Sequence, residues 1–231
     1  MLEANRSDLS ALILSSAKYK MFNFMVSILL LLILLAVLEE TKYGYLVLNV
    51  LSTIVFLLGV YAVGGSKKRL ILLVILGLPW FISEWTFTKS NRTIFMSMLF
   101  FILVTVTILE HILKSKEVTA DTLYAAVCVY LLLGIMWASI YGVLEYLSPG
   151  AVFVGSEGEI SEPLSSNVLI YYSFTTLTTL GYGDITSLTP LARIISILEA
   201  IIGQLFIVFL VARLVSTYTA NALARRSKPE S

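Results

Sequence analysis

Between two long apolar runs of the chain lies the stretch Thr178-Thr179-Leu180-Gly181-Tyr182-Gly183-Asp184. The residues before it, 168–177, follow an amphipathic pattern, and the side chains at 165–167 are suitable helix N-caps. This pattern predicts a short helix followed by an extended strand. The whole segment, 167–184, is too short and too rich in hydroxyl groups to cross a bilayer alone. We therefore predict a re-entrant segment, because non-helical backbone at bilayer depth is tolerated only where protein buries it or where it lines a wet cavity.

The two glycines of this stretch allow a backbone conformation that other residues resist. Successive carbonyl groups of an ordinary strand point to opposite sides, whereas glycine adopts left-handed backbone angles at little cost. With Gly181 and Gly183 in left-handed conformations, the carbonyl oxygens of residues 179–182 can all face one axis. Such a row of oxygens can replace the hydration shell of a potassium ion.

The side chains around this row of oxygens are predicted to support it. The Thr179 hydroxyl can close the innermost site, and the Leu180 side chain then points away from the ions. Tyr182 is predicted to pack against Tyr171 and Tyr172 of the short helix, whose rings would hold the strand at a fixed radius. The helix also directs its partially negative C-terminal end toward the cavity below the strand, which favours a dehydrating cation.

The composition of the chain is typical of a membrane protein. Of its 231 residues, 58% are hydrophobic and 13% charged, and the mean hydropathy is +0.91, whereas a soluble domain is about half apolar and about a quarter charged. Apolar runs of roughly 18 or more residues can cross a bilayer as helices. We predict such spans at 22–38, 45–63, 70–87, 93–109, 123–147 and 191–215. The first is interpreted as a retained helix, because 39–42 is a poor signal-peptide cleavage site.

The distribution of charge predicts the orientation of these spans. With the N-terminus inside, eleven Lys and Arg residues lie in cytoplasmic segments and four in external ones, so both termini are predicted to be cytoplasmic. The basic tail at 225–228 is interpreted as a positive-inside anchor, with contact to anionic lipid as the alternative. Glu157, Glu159 and Glu162 form either an outer vestibule that attracts cations or a solvated loop. The net charge of +1 gives no argument for a nucleic-acid partner, and Cys128, in an apolar run, is interpreted as a buried, inert thiol.

Residues 179–184 resemble the potassium-channel signature of the tetrameric pore-loop cation channels at every position, with Leu180 in the place often held by valine. The resemblance extends to Tyr171-Tyr172-Ser173, where the family commonly has two aromatic residues and a small one. It also extends to Gly203, where many members have a hinge glycine. By motif it covers about the last 60 residues, while the four preceding spans are similar only in number and topology.

The resemblance implies an all-α membrane protein that works as a homotetramer around a central pore. Each subunit would contribute six transmembrane helices, a re-entrant pore helix and an extended filter, because potassium selectivity requires four such loops around one axis. Potassium would bind at Thr179, Leu180, Gly181 and Tyr182, with Gly183 completing the filter. The implied partners are membrane lipids and permeant K⁺, with no cofactor and no soluble ligand-binding domain in this chain. A short channel of this kind in the plasma membrane is typical of prokaryotes.

The predicted organisation has five parts. They are a cytoplasmic N-terminus at 1–20, a voltage-sensor-like bundle at 21–110, a cytoplasmic linker at 111–121, a pore domain at 122–218 and a basic cytoplasmic tail at 219–231. Residues predicted to support the filter are Tyr171, Tyr172, Thr175, Thr178, Asp184 and Glu199. Candidates for a hinge or gate are Gly203, Ile207 and Val211, although Gly203 suits close helix packing equally well and the i, i+4 spacing of the other two suits ordinary packing.

The predicted fourth span differs from that of voltage-gated relatives, which carry arginines at every third position. Residues 93–109 contain none, so we expect no strong voltage gating and interpret the first four helices as a scaffold. Glu84 is the only ionisable residue within these four spans, and it either has a function or extends to the membrane interface. His111 is predicted to lie in the solvated linker after the fourth span.

Glu199 lies in the middle of the last span with no basic residue one turn away, so it must be protonated, hydrogen-bonded or in contact with water. The family often has an acidic residue behind the filter, where this chain has Thr175. One hypothesis is that Glu199 supplies the missing carboxyl group from the neighbouring helix.

Passive potassium conduction is the leading function. The alternatives are a poorly selective cation channel of the same architecture and a membrane scaffold whose filter-like loop does not conduct. An enzyme is the least favoured class, because the sequence shows no metal-ligand cluster and no activated nucleophile.

Overall fold

A computed structural model of the chain describes residues 20–38, 41, 43–62, 71, 73–75, 77–78, 81–82, 91–115, 119–154 and 164–226. Its helices and strands, in chain order, are α1 Lys20–Leu38, α2 Gly44–Ala62, α3 Asn91–Lys114, α4 Ala120–Leu147, β1 Val152–Val154, α5 Ser166–Leu177, β2 Ile185–Ser187 and α6 Pro190–Arg226.

Five of the predicted apolar runs lie within helices, namely α1, α2, α3, α4 and α6. The run at 70–87 lies largely outside the described residues, although its described positions from 71 to 82 are helical. Within the described part of the chain, three helical segments are long and apolar enough to cross a membrane. They are Lys20–Leu38, Ala120–Leu147 and Pro190–Arg213. Glu84, Glu157, Glu159 and Glu162 lie outside the described residues.

Helix α3 continues beyond the predicted end of the fourth span. His111 and Lys114 occupy its last turn, so the first residues of the predicted linker are helical, and His111 is exposed there. Basic side chains are favourable at this end of a helix, because the unpaired carbonyl groups there carry partial negative charge. Helix α4 begins shortly afterwards, where Thr119 caps it by accepting a 3.3 Å hydrogen bond from the Thr122 amide.

Helix α4 is the centre of the fold, because α1, α3, α5 and α6 all pack against it. In the most apolar part of α4, 61% of the residues are buried within the chain. In the most apolar part of α6, only 11% are buried. Cys128 is fully buried in α4, with its thiol 3.5 Å from the Met21 carbonyl of α1, in agreement with its interpretation as a buried thiol. Helices from the first half of the chain therefore lie directly on the helix that supports the re-entrant segment.

A two-stranded antiparallel ribbon, which the sequence analysis did not predict, joins the segment after α4 to the segment after residue 184. In its register Val152 lies opposite Ser187, and Val154 opposite Ile185. The Leu188 amide extends the pairing with a 2.9 Å hydrogen bond to the Ala151 carbonyl. The ribbon fixes the chain at the end of the glycine-containing stretch.

Candidate functional site

The short helix predicted before the glycine-containing stretch is confirmed as α5. Of the three candidate N-caps, Ser165 fulfils the role, because its hydroxyl accepts a 3.4 Å hydrogen bond from the Val168 amide. The helix ends at Leu177, and Thr178 is its C-cap, with its hydroxyl donating a 2.7 Å bond to the Phe174 carbonyl. The residues that follow therefore start from a defined helix end.

The backbone after α5 reverses its handedness at every second residue. Gly181 and Gly183 have φ angles of 54° and 83°, which confirms their predicted left-handed conformation. Thr179 has φ 58° as well, which the sequence analysis missed. A β-branched residue in this region is strained by roughly 1–3 kcal/mol and persists only where its surroundings enforce it. Because φ alternates in sign, successive carbonyl groups need not alternate in direction as they do in an ordinary strand.

Two main-chain hydrogen bonds hold this strand against the end of α5. The Thr179 amide donates to the Thr176 carbonyl at 2.9 Å, and the Gly181 amide donates to the Thr175 carbonyl at 3.1 Å. The Thr175 hydroxyl donates instead to the Tyr172 carbonyl within its own helix, at 2.9 Å. Thr175 therefore contacts the strand through its main-chain oxygen rather than through its side chain.

The two tyrosines of α5 hold the far end of the strand, though not in the predicted way. Tyr171 donates a 2.7 Å hydrogen bond to Oδ2 of Asp184. Tyr172 is hydrogen-bonded to Ser187 and packs edge-on against the Tyr141 ring of α4, with a centroid distance of 4.8 Å. The Tyr182 ring, which was predicted to pack against both, is 69% exposed within the single chain.

Glu199 is completely buried and hydrogen-bonded, which selects one of the alternatives left open by the sequence. Its Oε2 accepts a 2.6 Å bond from the Tyr141 hydroxyl, and its Oε1 lies 2.6 Å from the Ser173 hydroxyl. Glu199 of α6 thus connects α4 and α5 at one point. On α5 the carboxyl group contacts Ser173 and not the Thr175 hydroxyl, which bonds within its own helix. Glu199 therefore contacts the helix that supports the strand.

Gly203, for which the sequence left a hinge and close helix packing both open, lies at a close contact between α6 and the end of α5. A Cβ atom at Gly203 would lie 2.3 Å from the Leu177 carbonyl oxygen, a distance that real Cβ atoms do not reach. The close approach of the two helices also brings the next residue, Gln204, near the strand. Its Nε2 atom lies 3.3 Å from the Thr179 hydroxyl oxygen. Ile207 and Val211, the gate candidates, are 40% and 52% exposed within the single chain.

A buried carboxylate that the sequence analysis passed over positions the turn after α4. Glu145 is 6% exposed, and its two oxygens accept bonds from the Gly150 amide at 2.6 Å and the Val152 amide at 3.2 Å. Gly150 itself has φ 80°. An acidic residue at the end of an apolar run, just before Ser148-Pro149-Gly150, is the sequence signal that could have indicated this role.

Comparison with known proteins identifies the class to which this region is similar. Residues 141–220 match a family model described as "Ion channel". The match covers about a third of the chain and includes the end of α4, all of α5, the glycine-containing stretch and most of α6. It indicates ion channel activity and supports an ion channel of the pore-loop family, a class of membrane transport protein. No curated protein and no solved structure matches the chain.

Proposed function

We propose that this chain is one subunit of a homotetrameric potassium channel that conducts K⁺ passively. The observation that carries the proposal is the alternation of backbone handedness at Thr179, Gly181 and Gly183. Potassium binds between the carbonyl oxygens of residues 179–182, with the Thr179 hydroxyl at the innermost site and Gly183 at the outer end. These oxygens replace the water that the ion loses on entry.

The tetramer follows from the chemistry of the ion. One strand presents oxygens on one side of the ion only, whereas a dehydrated cation needs them all around, and four strands supply them. The surface of α6 supports this assembly, because its apolar side chains have few contacts within the single chain. Exposed examples are Leu198, Ile201, Ile202 and Leu205. A neighbouring subunit or lipid covers this surface in a membrane.

The rest of the chain is proposed to orient and support this pore. It forms six spans in the plasma membrane, with both termini cytoplasmic, and its first four helices are a scaffold rather than a voltage sensor. The absence of lysine and arginine from 93–109 supports the last point, because charge that moves through the membrane field supplies the work of voltage gating. Within the described residues, α1 and α3 pack on α4 of the same chain. We propose a prokaryotic channel without strong voltage dependence.

The test is reconstitution of the purified full chain in liposomes, with K⁺ and Na⁺ fluxes measured separately. We expect K⁺ flux well above Na⁺ flux and inhibition by Ba²⁺, a divalent ion close to K⁺ in size. Native mass spectrometry from nanodiscs should give a mass of four chains. Equal K⁺ and Na⁺ fluxes would identify a poorly selective channel, and a tetramer without flux would identify a scaffold.

Two glycine variants make the test specific for the filter. Gly183 and Gly150 have φ angles of 83° and 80°, and a Cβ atom at either would meet nothing within 4 Å of the chain. An alanine therefore causes a similar backbone strain, about 1–2 kcal/mol, at both positions. Gly183→Ala should abolish selective K⁺ flux, whereas Gly150→Ala should retain it. Selective flux through the Gly183→Ala variant would contradict the assignment of the filter.

A further inference from the structure

A polar side chain of α6 lies next to the first residue of the filter. Gln204 is the sole glutamine of the chain, and its Nε2 is 3.3 Å from the Thr179 hydroxyl oxygen. The side chain is otherwise exposed within the single chain. Its neighbours on α6 are apolar, so this amide is a polar group in apolar surroundings, and it is directed at the filter by its contact with Thr179.

The close approach of Gly203 fixes this contact. Because Gly203 has no side chain, α6 can approach the Leu177 carbonyl at the end of α5. A Cβ atom on residue 203 would lie only 2.3 Å from that carbonyl oxygen. The Thr179 backbone is held from the same helix end by its bond to the Thr176 carbonyl. Gln204 and Thr179 are therefore both positioned by the last turn of α5, and the distance between them is set by rigid elements rather than by a loop.

The chemistry of the contact leaves an oxygen for a cation. When the Gln204 amide nitrogen donates to the Thr179 hydroxyl oxygen, the amide oxygen Oε1 takes no part in that bond and keeps its lone pairs for another partner. An amide oxygen is the same type of ligand as a backbone carbonyl and binds cations in the same way. The donated hydrogen bond also restricts the rotation of the Thr179 hydroxyl.

We propose that Gln204 is a further cation-binding residue at the inner end of the filter and that it also orients the Thr179 hydroxyl. In the tetramer, four Gln204 amide oxygens form a polar ring directly below the Thr179 site, where K⁺ exchanges cavity water for filter oxygens. This inference rests on the proposed function. It adds a ring of ligands that the side chains of α6 supply, next to the ligands that the filter backbone supplies.

The ring is tested with Ba²⁺ added to the cavity side of single channels in planar bilayers. Gln204→Met keeps the length of the side chain and removes the amide. We expect it to weaken the Ba²⁺ block by at least about fivefold, because the loss of a single ordinary hydrogen-bond or ligand interaction has this effect and the variant removes the amide from all four subunits. It should also lower K⁺ conductance. Gln204→Glu retains an oxygen ligand and adds negative charge, so it should strengthen the block. Leu205→Met, a volume-conserving change at the adjacent position, should leave the block as in the wild type.

The outcomes separate this inference from the proposed function. If the wild type conducts K⁺ selectively but Gln204→Met and Gln204→Glu both show wild-type Ba²⁺ block, the inference is wrong and the function stands. If the wild type conducts no K⁺, the proposed function itself fails. If Gln204→Met does not assemble, the isosteric Gln204→Glu variant decides, and an unchanged or weaker block in it contradicts the ring.

Discussion

The hydroxyl of Tyr171 donates a 2.7 Å hydrogen bond to Oδ2 of Asp184, thirteen residues further along the chain. This bond connects the middle of α5 to the residue that follows the filter, so it fixes the outer end of the filter against its supporting helix. Tyr171→Phe removes the bond and keeps the ring. We expect K⁺ current to decline faster during sustained opening, because the outer end of the filter is released, as single-channel and macroscopic recordings would show.

The control for this variant is Tyr146→Phe, because Tyr146 is also an exposed tyrosine but belongs to the end of α4 and not to α5, the helix that supports the filter. It should keep the wild-type time course. A wild-type time course in Tyr171→Phe itself would mean that the bond to Asp184 does not stabilise the conducting filter.

Glu199 offers a second test, because its carboxyl group joins Tyr141 of α4 to Ser173 of α5. Glu199→Gln has nearly the same volume, and its amide oxygen can still accept from Tyr141. Its NH₂ group would face Ser173 and reverse the direction of that hydrogen bond. We expect intact tetramers whose current inactivates at a different rate, measured by recordings at constant voltage.

Glu199→Leu is the comparison that removes both interactions. It leaves Ser173 with only the Gly134 carbonyl at 2.7 Å and Tyr141 with only the more distant Ser196 hydroxyl at 3.3 Å. The loss of two hydrogen bonds costs about 0.5–1.5 kcal/mol for each bond. The Leu variant should therefore lose tetramer stability, whereas the Gln variant should not. If Glu199→Gln showed unchanged inactivation and open probability, the carboxyl group would have only a structural role.

Much of the backbone of the site could be predicted from sequence because its signals are local. The length of the apolar runs predicted the helices, and the hydroxyl side chains before α5 predicted its N-cap. The glycines predicted the left-handed positions at Gly181 and Gly183. The left-handed Thr179 was missed for a physical reason. Threonine disfavours this conformation, and only the hydrogen bonds from the end of α5 enforce it.

The contacts between elements could not be predicted from local signals. Tyr172 was expected to face Tyr182, but in the fold it packs on Tyr141, more than thirty residues earlier. The hydrogen bonds of Glu199 and Gln204 likewise depend on how α6 crosses α5, which no pattern within α6 encodes. The ribbon between β1 and β2 was missed because each strand has only three residues, too few for an alternating pattern to be recognised.

A substitution at Gly203 can show whether this glycine serves close packing or acts as a hinge. In Gly203→Ala the new Cβ would lie 2.3 Å from the Leu177 carbonyl, and neither helix backbone can move freely at this point. We expect a loss of about 1–3 kcal/mol in stability, as for other overpacked core positions, together with fewer assembled tetramers on size-exclusion chromatography. A hinge residue would instead give normal assembly with altered gating.

The matched control is Gly59→Ala in α2. A Cβ atom there would meet only the edge of the Phe24 ring, at 3.3 Å, and a ring can shift by a few tenths of an ångström. Alanine also favours a helix over glycine. Gly59→Ala should therefore be neutral or slightly stabilising, and an equal loss in both variants would mean that the effect is not specific to the contact between α5 and α6.

Arg213 connects α6 to the C-terminal end of α3, because its Nη2 donates to the carbonyl oxygens of Leu113 and Ser115, both at 2.8 Å. A guanidinium at a helix C-terminus binds carbonyl groups that lack a partner within the helix and complements their partial negative charge. Arg213→Gln should lower the free energy of unfolding by about 1–3 kcal/mol, seen as a lower thermal midpoint of the tetramer in detergent. Arg193→Gln is the control, since Arg193 donates one exposed bond, to the Ser187 carbonyl at 3.2 Å, and its effect should be smaller. Equal midpoints for the two variants would show that α6 is not anchored to α3 through Arg213.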